Sequence, residues 1–458
     1  MTVASGRPRP ARRGLTDFSL AVEPSDIDAI PPIEGTADWL DADRRAAFDR
    51  FVALPAESNM LYTTYIDLRN VALEGARLTR APRTEPVAVD LPAGTDGLLV
   101  IDEGDLTGVA VSPEAVAAGV LLTTIADLAR RDPERVHGLL GAEGLLPDDD
   151  RFAQLTRALW AQGAVLDIPA GVRLERPIIL RWSAGAPDRA LFSRTFIRLG
   201  DGASATVLEE LVASGPSELD GGQSFLAGTL EVRLGPGASL ELASLQELPT
   251  TTVAFQHRNA LLGEGASLRW ALAQLGSRLV RSRVDNRLEG DRSSVEQVEI
   301  VFGGSDQLFD LTSYTHHVGR DTTGNLLSKG ALLDRSRSFM KGMIVIDRSA
   351  VGTDSFLGEF GMNLSKATRS VAIPSLEIDQ PDCRRAAHAS SVGPIDETQL
   401  FYLESRGIPP EEARKFIVLG FLEPVVARVP VADAQLRLRD MLEQKWDAGV
   451  GVGAITAA

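Results

Sequence analysis

One cysteine, Cys383, serves a chain of 458 residues. It excludes an internal disulfide framework and fits a reducing compartment, so a cytoplasmic protein is expected. Alone it cannot supply the four thiolates of a complete metal–sulfur cluster. Aromatic residues reach only 5%, which argues against a large aromatic core. Basic residues are outnumbered 47 to 63, for a net charge of −16. That lacks the basic footprint of non-specific nucleic-acid binding. No stretch reaches the ~18 uninterrupted apolar residues of a membrane helix, so neither nucleic acid nor membrane is an expected partner. No Walker A sequence, dinucleotide fingerprint or placeable Ser/His/Asp set occurs. Any ATP hydrolysis would belong to a partner, and no catalytic residue is assigned.

What is present is an ordinary soluble composition, 44% hydrophobic and 24% charged, with 42 glycines for many turns. The first residues are basic and rich in Pro and Gly without an apolar core, so a disordered tail is expected over 1–35 rather than a signal peptide. A mixed helical domain is expected over 36–162. Trp39, Leu40, Ala46, Phe48, Phe51 and Val52 recur at helical spacing from Asp38 to Leu54. Gly97 to Val111 holds one or two strands. Ser112-Pro-Glu114 is an N-cap, a Pro at the first helical position and an early acid, opening a helical stretch to Leu140. Phe152, Leu155, Leu159 and Trp160 form one stripe of a helix over Asp148 to Ala161, with Gly163 as its stop. The run Asp148-Asp-Asp150 reads as a helix N-terminal device rather than a metal site.

At Ala164 the pattern changes to short strands. Ile197-Arg-Leu-Gly-Asp-Gly-Ala-Ser204 recurs as Val232-Arg-Leu-Gly-Pro-Gly-Ala-Ser239 and Ala260-Leu-Leu-Gly-Glu-Gly-Ala-Ser267. A degenerate copy is Arg287-Leu-Glu-Gly-Asp-Arg-Ser-Ser294. Each puts an apolar strand before a tight glycine turn and an alternating strand after it. Repetition at this scale denotes stacked coils, a propeller or an array. A right-handed parallel β-helix over 163–392 is favoured, with a β-sandwich as its rival. Its end coils would expose strand edges, which flanking helices can cover. The fold class expected is therefore mainly β, a parallel β-helix between N-terminal and C-terminal helical domains.

The C-terminal helical domain, expected over 393–446, has the clearest signals. Asp396 opens a helix with Gln399 as capping-box partner, and Leu400, Phe401 and Leu403 follow. Gly407 ends it after Arg406. Pro409 or Pro410 begins a second helix, whose apolar stripe is Ala413, Phe416, Ile417, Gly420 and Phe421. Residues 447–458 are expected to be a flexible tail. Just before these helices a polar loop holds Cys383 and His388. His316 and His317 are adjacent, so on a strand they face opposite sides and cannot share a metal.

Several of these stretches together resemble one family. Leu400-Phe-Tyr-Leu-Glu-Ser-Arg-Gly-Ile408 with the helix beyond it is similar to the C-terminal segment of the SufB/SufD scaffold proteins of the SUF iron–sulfur cluster assembly machinery. So are Asp310 to Gly330, Arg337 to Gly342, Thr353 to Phe356, and Phe152 to Ile179, where the family's β-helix begins. The absence of cysteine from Thr353 to Leu364 points to the SufD side. The resemblance implies a scaffold without its own catalysis. Its C-terminal helices would bind a SufC-type ATPase through Leu400, Phe401, Leu403, Arg406, Gly407, Ala413, Phe416, Ile417 and Phe421. Its β-helix would pair edge to edge with a SufB-type scaffold, or with a second copy when the chain is isolated. It implies iron or a transient iron–sulfur cluster at that interface, with His388 and Cys383 as ligands. Arg384, Arg385, Ala386 and Ala387 separate these two, where the family's loop has one residue. A SufB-like or self-pairing scaffold is the first alternative. A β-helix enzyme acting on polysaccharide, needing a cleft of paired carboxylates, is the second.

Overall fold

The computed structural model describes residues 17–55, 67–85, 87–140, 146–215 and 222–452. Helices α1 (Pro24–Asp28) and α2 (Ala37–Ala53) come first, then strands β1 (Arg77–Leu78), β2 (Gly97–Asp102) and β3 (Asp105–Val111). Helix α3 (Pro113–Ala117), strand β4 (Leu121–Thr124) and helices α4 (Ile125–Arg131), α5 (Pro133–Leu140) and α6 (Arg151–Leu159) complete this part. Eight two-strand coils follow. They are β5 (Gln162–Ile168) with β6 (Ile178–Ala184), β7 (Arg189–Leu199) with β8 (Ser204–Ala213), and β9 (Ser224–Leu234) with β10 (Ser239–Glu247). Next are β11 (Thr252–Leu262) with β12 (Ser267–Gln274), β13 (Leu279–Leu288) with β14 (Ser294–Gly303), and β15 (Leu308–His317) with β16 (Thr323–Leu332). The last are β17 (Arg337–Ile346) with β18 (Asp354–Asn363) and β19 (Arg369–Ile378) with β20 (Arg385–Gly393). Helices α7 (Glu397–Ser405), α8 (Pro410–Val426) and α9 (Ala432–Val452) follow.

From β5 onward the odd strands stack in one parallel sheet and the even strands in another. This is the expected parallel β-solenoid, and the repeated phrase builds its corners. Ser204, Ser239, Ser267 and Ser294 stand in register on neighbouring strands. The second glycine of each phrase takes a positive φ and links the coils. Gly202 N–H donates to Pro236 O at 2.8 Å, Gly237 to Glu264 O at 2.7 Å and Gly265 to Asp291 O at 2.8 Å. In the degenerate copy Arg292 adopts the same turn with φ 59° and donates to Arg320 O at 2.8 Å. The first glycine is there for closeness: a Cβ on Gly200 would meet the Ala170 backbone nitrogen at 2.5 Å.

Helical layers cover both outer faces. Phe152 of α6 meets Phe255 of β11 edge-on, with ring centroids 4.6 Å apart, a geometry worth about 0.5–1.5 kcal/mol beyond area burial. On the even sheet, Val298, Ile300 and Phe302 pack against Val418 and Leu422 of α8 and Leu438, Leu442 and Trp446 of α9. At the start of the solenoid, β4 pairs antiparallel with β5, and the β2–β3 hairpin lies beside β6. Leu99, Ile101, Leu106 and Leu122 thereby join the interior core.

Several local expectations need correction. Helix α1 and the buried Leu20 and Ile27 lie within the stretch expected to be tail; residues 1–16 of that stretch lie outside the described residues. Helix α9 runs through residues expected to be the second tail, and 453–458 lie outside the described residues. In α2 the buried side chains are Leu40, Arg44, Ala47, Phe48 and Phe51, whereas Ala46 and Val52 face solvent. The helical stretch before Leu140, which allowed for two pieces, is three helices with strand β4 between the first and second. Helix α6 ends at Trp160, whose backbone turns extended, and Gly163 sits inside β5. The Asp396 carboxylate accepts the Thr398 N–H at 2.8 Å, a local cap in place of the expected reciprocal box with Gln399.

Candidate functional site: the open end and the last helices

A solenoid coil is closed by its neighbours, and among the described residues the last coil has a neighbour on one side only. Ile378 of β19 is in register with Ile346 of β17, and Leu376 with Ile344. Ile344 and Ile346 are fully buried, but Ile378 is 44% exposed and Leu376 half-buried. Val392 of β20 is 39% exposed. One missing coil accounts for the difference, since the same kind of side chain on the same ladder loses its cover.

His388 stands on β20 in register with Leu357 and is exposed, while Leu357 one strand earlier is buried. Cys383 lies in the corner before β20, half-buried against the cluster of Leu326, Ile344, Ile346, Ala350 and Leu357. Both residues therefore belong to the terminal coil. Among the described residues no group of three His, Cys, Asp or Glu side chains could hold a metal ion. The histidine pair divides as expected. His316 Nε2 lies 3.0 Å from Asp347 Oδ1, whereas the buried His317 contacts Thr322 Oγ1 at 2.8 Å and Ser355 Oγ at 3.1 Å. Burial lowers the His317 pKa to about 4.

Glu359, which the sequence pattern did not single out, lies beside this end. It sits on β18 in register with Ser390 of β20 and is 1% exposed. Its Oε2 accepts the Ile373 N–H of β19 at 2.8 Å. Burial pushes its carboxyl up to about 7. The only sequence signal was an acid at an inward position of an alternating strand.

The helix pair has two unlike faces. Ala413, Val418, Leu422, Val425 and Val426 of α8 are buried toward the solenoid. Lys329 of β16 donates to Phe421 O at 2.7 Å and lies over its ring. Helix α7 buries none of its residues. Phe401 is 70% exposed, Tyr402 56% and Phe416 of α8 56%. Arg406 lies over the Tyr402 ring, 5.2 Å from its centroid, and Gly407 turns with φ 84°. Leu400, Leu403, Ile417 and Phe421 are half-buried. Of the expected docking residues, Ala413 is buried and Phe421 packs partly against the solenoid beneath Lys329, so both belong to the packing face. Tyr402 was missed, because an apolar stripe marks a face without saying whether the molecule itself covers it.

The acidic run is an N-cap, as expected, and also a clamp. Asp150 Oδ1 accepts the N–H groups of Phe152 at 2.9 Å and Ala153 at 3.0 Å. Its other oxygen lies 2.5 Å from Arg281, 3.2 Å from Arg283 and 3.4 Å from His257 Nε2. Burial pushes the Asp150 carboxyl up, but the charges of Arg281, His257 and Arg283 outweigh it and hold the group far below the carboxylate range. Burial drives the His257 pKa down to about 3.

The fold thus defines a parallel β-solenoid protein with one end uncovered and an exposed aromatic helix pair next to it. A family model described as the SufBD core domain of SUF-system FeS cluster assembly matches residues 182–421. The chain is 30% identical over 336 residues to the iron–sulfur cluster assembly protein SufD of Bacillus subtilis, covering 73% of this chain and 76% of that one. It is 25% identical over 325 residues to a SufBD family protein of Staphylococcus epidermidis, covering 71% and 69%. A SufBD family protein of Staphylococcus saprophyticus matches at 25% over 303 residues, covering 66% and 64%. The chain belongs to the SufBD family and is a SufD-type protein of SUF iron–sulfur cluster assembly. Among the described residues no helix is long and apolar enough to cross a membrane.

Proposed function

We propose that this chain is a scaffold subunit that docks a SufC-type ATPase on α7 and the outer side of α8, and pairs its last coil with a SufB-type scaffold. The observation that carries the docking is helix α7, which buries nothing and exposes Phe401 and Tyr402, while the next helix, α8, exposes Phe416. Exposed large aromatics mark protein-binding surfaces. Hydrolysis of ATP is assigned to the partner, since the chain has no phosphate-binding loop of its own. The pairing rests on the one-sided neighbours of β19 and β20, whose free edges can extend another sheet. The work is assigned to the cytoplasm, where a lone half-buried thiol stays reduced.

Co-expression with a SufC-type ATPase and a SufB-type scaffold, followed by mass measurement of the intact complex, tests the reading. Phe401→Asp with Phe416→Asp is expected to remove the ATPase from the complex and leave the fold intact. Retention of the ATPase by that double variant would sink the docking assignment. For the cargo, His388 is the proposed ligand on this chain, with Cys383 beside it in the same coil. His388→Ala is expected to preserve the complex and lower cluster assembly in cells, and full complementation would refute the role.

A further inference from the structure

We propose that the cleft between β1 and the start of β7 binds a phosphate-type oxyanion carried by a small molecule. In a chain of net charge −16, Arg77, Arg80 and Arg189 line one cleft of about 440 Å³ together with a single acid, Asp26. That size falls within the range of small-molecule sites. Arg77 and Arg189 are in register on the paired strands β1 and β7, and both are exposed. Their backbones are pinned in this arrangement: Arg77 N–H donates to Asp188 O at 2.9 Å and Thr79 N–H to Ala190 O at 2.8 Å. Like charges directly across paired strands disfavour one another. Strands ~4.8 Å apart keep the two forks close enough to grip one multi-oxygen anion together.

Asp26, the acid on this cleft, is taken up by Arg80 at 2.5 Å, which leaves Arg77 and Arg189 for the ligand. The Asp188 side chain lies against Gly222. Glu103 Oε1 accepts the Ala186 N–H at 2.7 Å, and its charge reaches Arg189 without forming an ion pair. Among the described residues Arg77 and Arg189 have no ion-pair partner. Arginine forks match phosphate geometry, and a tetrahedral oxyanion has oxygens for two of them, where a carboxylate fills one. Ala21, Ala76 and Leu78 form an apolar wall beside the arginines, which suits the organic part of such a ligand.

The test uses the full chain and inorganic pyrophosphate, by calorimetry at low ionic strength and by thermal melting at matched ionic strength. One saturable site is expected, weakened at least about tenfold in Arg77→Gln with Arg189→Gln. Pyrophosphate should raise the melting temperature of the natural chain and not that of the double variant. Without ligand the double variant should melt at the same temperature or higher, because the repulsion is gone. Arg384→Gln, which removes an exposed arginine already paired with Asp321, should bind as the natural chain does. Absence of saturable binding, equal binding by the double variant, or equal weakening by Arg384→Gln would each overturn the proposal.

Discussion

The two ends of one solenoid are finished in opposite ways. At the first, strands β2, β3 and β4 close both sheets with two antiparallel pairings, and Leu99, Ile101 and Leu106 fill the interior. At the last, β19 and β20 stop with Ile378, His388 and Val392 uncovered. Both ends face the same problem, a row of unpaired backbone groups and a core with no lid. The first is solved within the chain. Among the described residues nothing covers the second, in a chain of the SufBD family of iron–sulfur cluster assembly.

The outer layers repeat the contrast. Helix α6 is clamped to the odd sheet by Asp150, Arg281, Arg283 and His257. Helix α7 near the open end buries nothing. Asp150→Ala should therefore have the largest effect on stability. It takes a carboxylate partner from the buried Arg281, leaves Arg283 to Asp285 and Asp149, and removes a helix cap, at about 3–5 kcal/mol in urea unfolding. A loss under ~1 kcal/mol would erase the distinction between clamped and free layers.

The two halves should also answer to pH in opposite directions. The folded pKa of His257 is depressed from 6.5 to about 3, so its stabilising contribution is complete above pH ~6.5 and is lost as pH falls toward 3. The folded pKa of Glu359 is raised from 4.5 to about 7. Its contribution is complete below pH ~4.5 and is lost as pH rises through 7, on the order of 3 kcal/mol in all. Glu359→Gln is expected to flatten the neutral side of the stability profile and leave the acid side unchanged. A neutral limb that survives the substitution would remove Glu359 from the account.

The smallest effect should come from the uncovered ladder. Ile346→Ala empties a fully buried site and should cost about 2–5 kcal/mol. Ile378→Ala, in register one strand on, should cost under ~1 kcal/mol in the isolated chain. Equal costs would show that the last coil is already covered.

The legible parts of the sequence were those ruled by local backbone chemistry. The Gly-x-Gly-Ala-Ser phrase identified the corners because a left-handed turn and a close backbone approach must recur at each coil. Ser112 and Asp150 marked helix starts for the same local reason, through side-chain caps on Ala115, Phe152 and Ala153. The candidate site was legible only in part. Phe416 stands out in the apolar stripe of α8, but the same stripe holds Ala413, which is buried, and the docking role of both came with the family resemblance. Strand β4 went unread because four residues between helices carry no periodicity that outweighs their neighbours.

By itself, then, the sequence determined a stack of β-coils with helices on either side, and which residues turn each corner. Tertiary structure alone decided that Ile378 and His388 lie bare while Ile346 and Leu357 do not. It alone decided which aromatics of α7 and α8 face water, and that Arg77 and Arg189 meet across two strands. A corner is dictated by the φ its own residue must adopt. Exposure and charge proximity depend on what the rest of the chain brings alongside, and no local pattern encodes that.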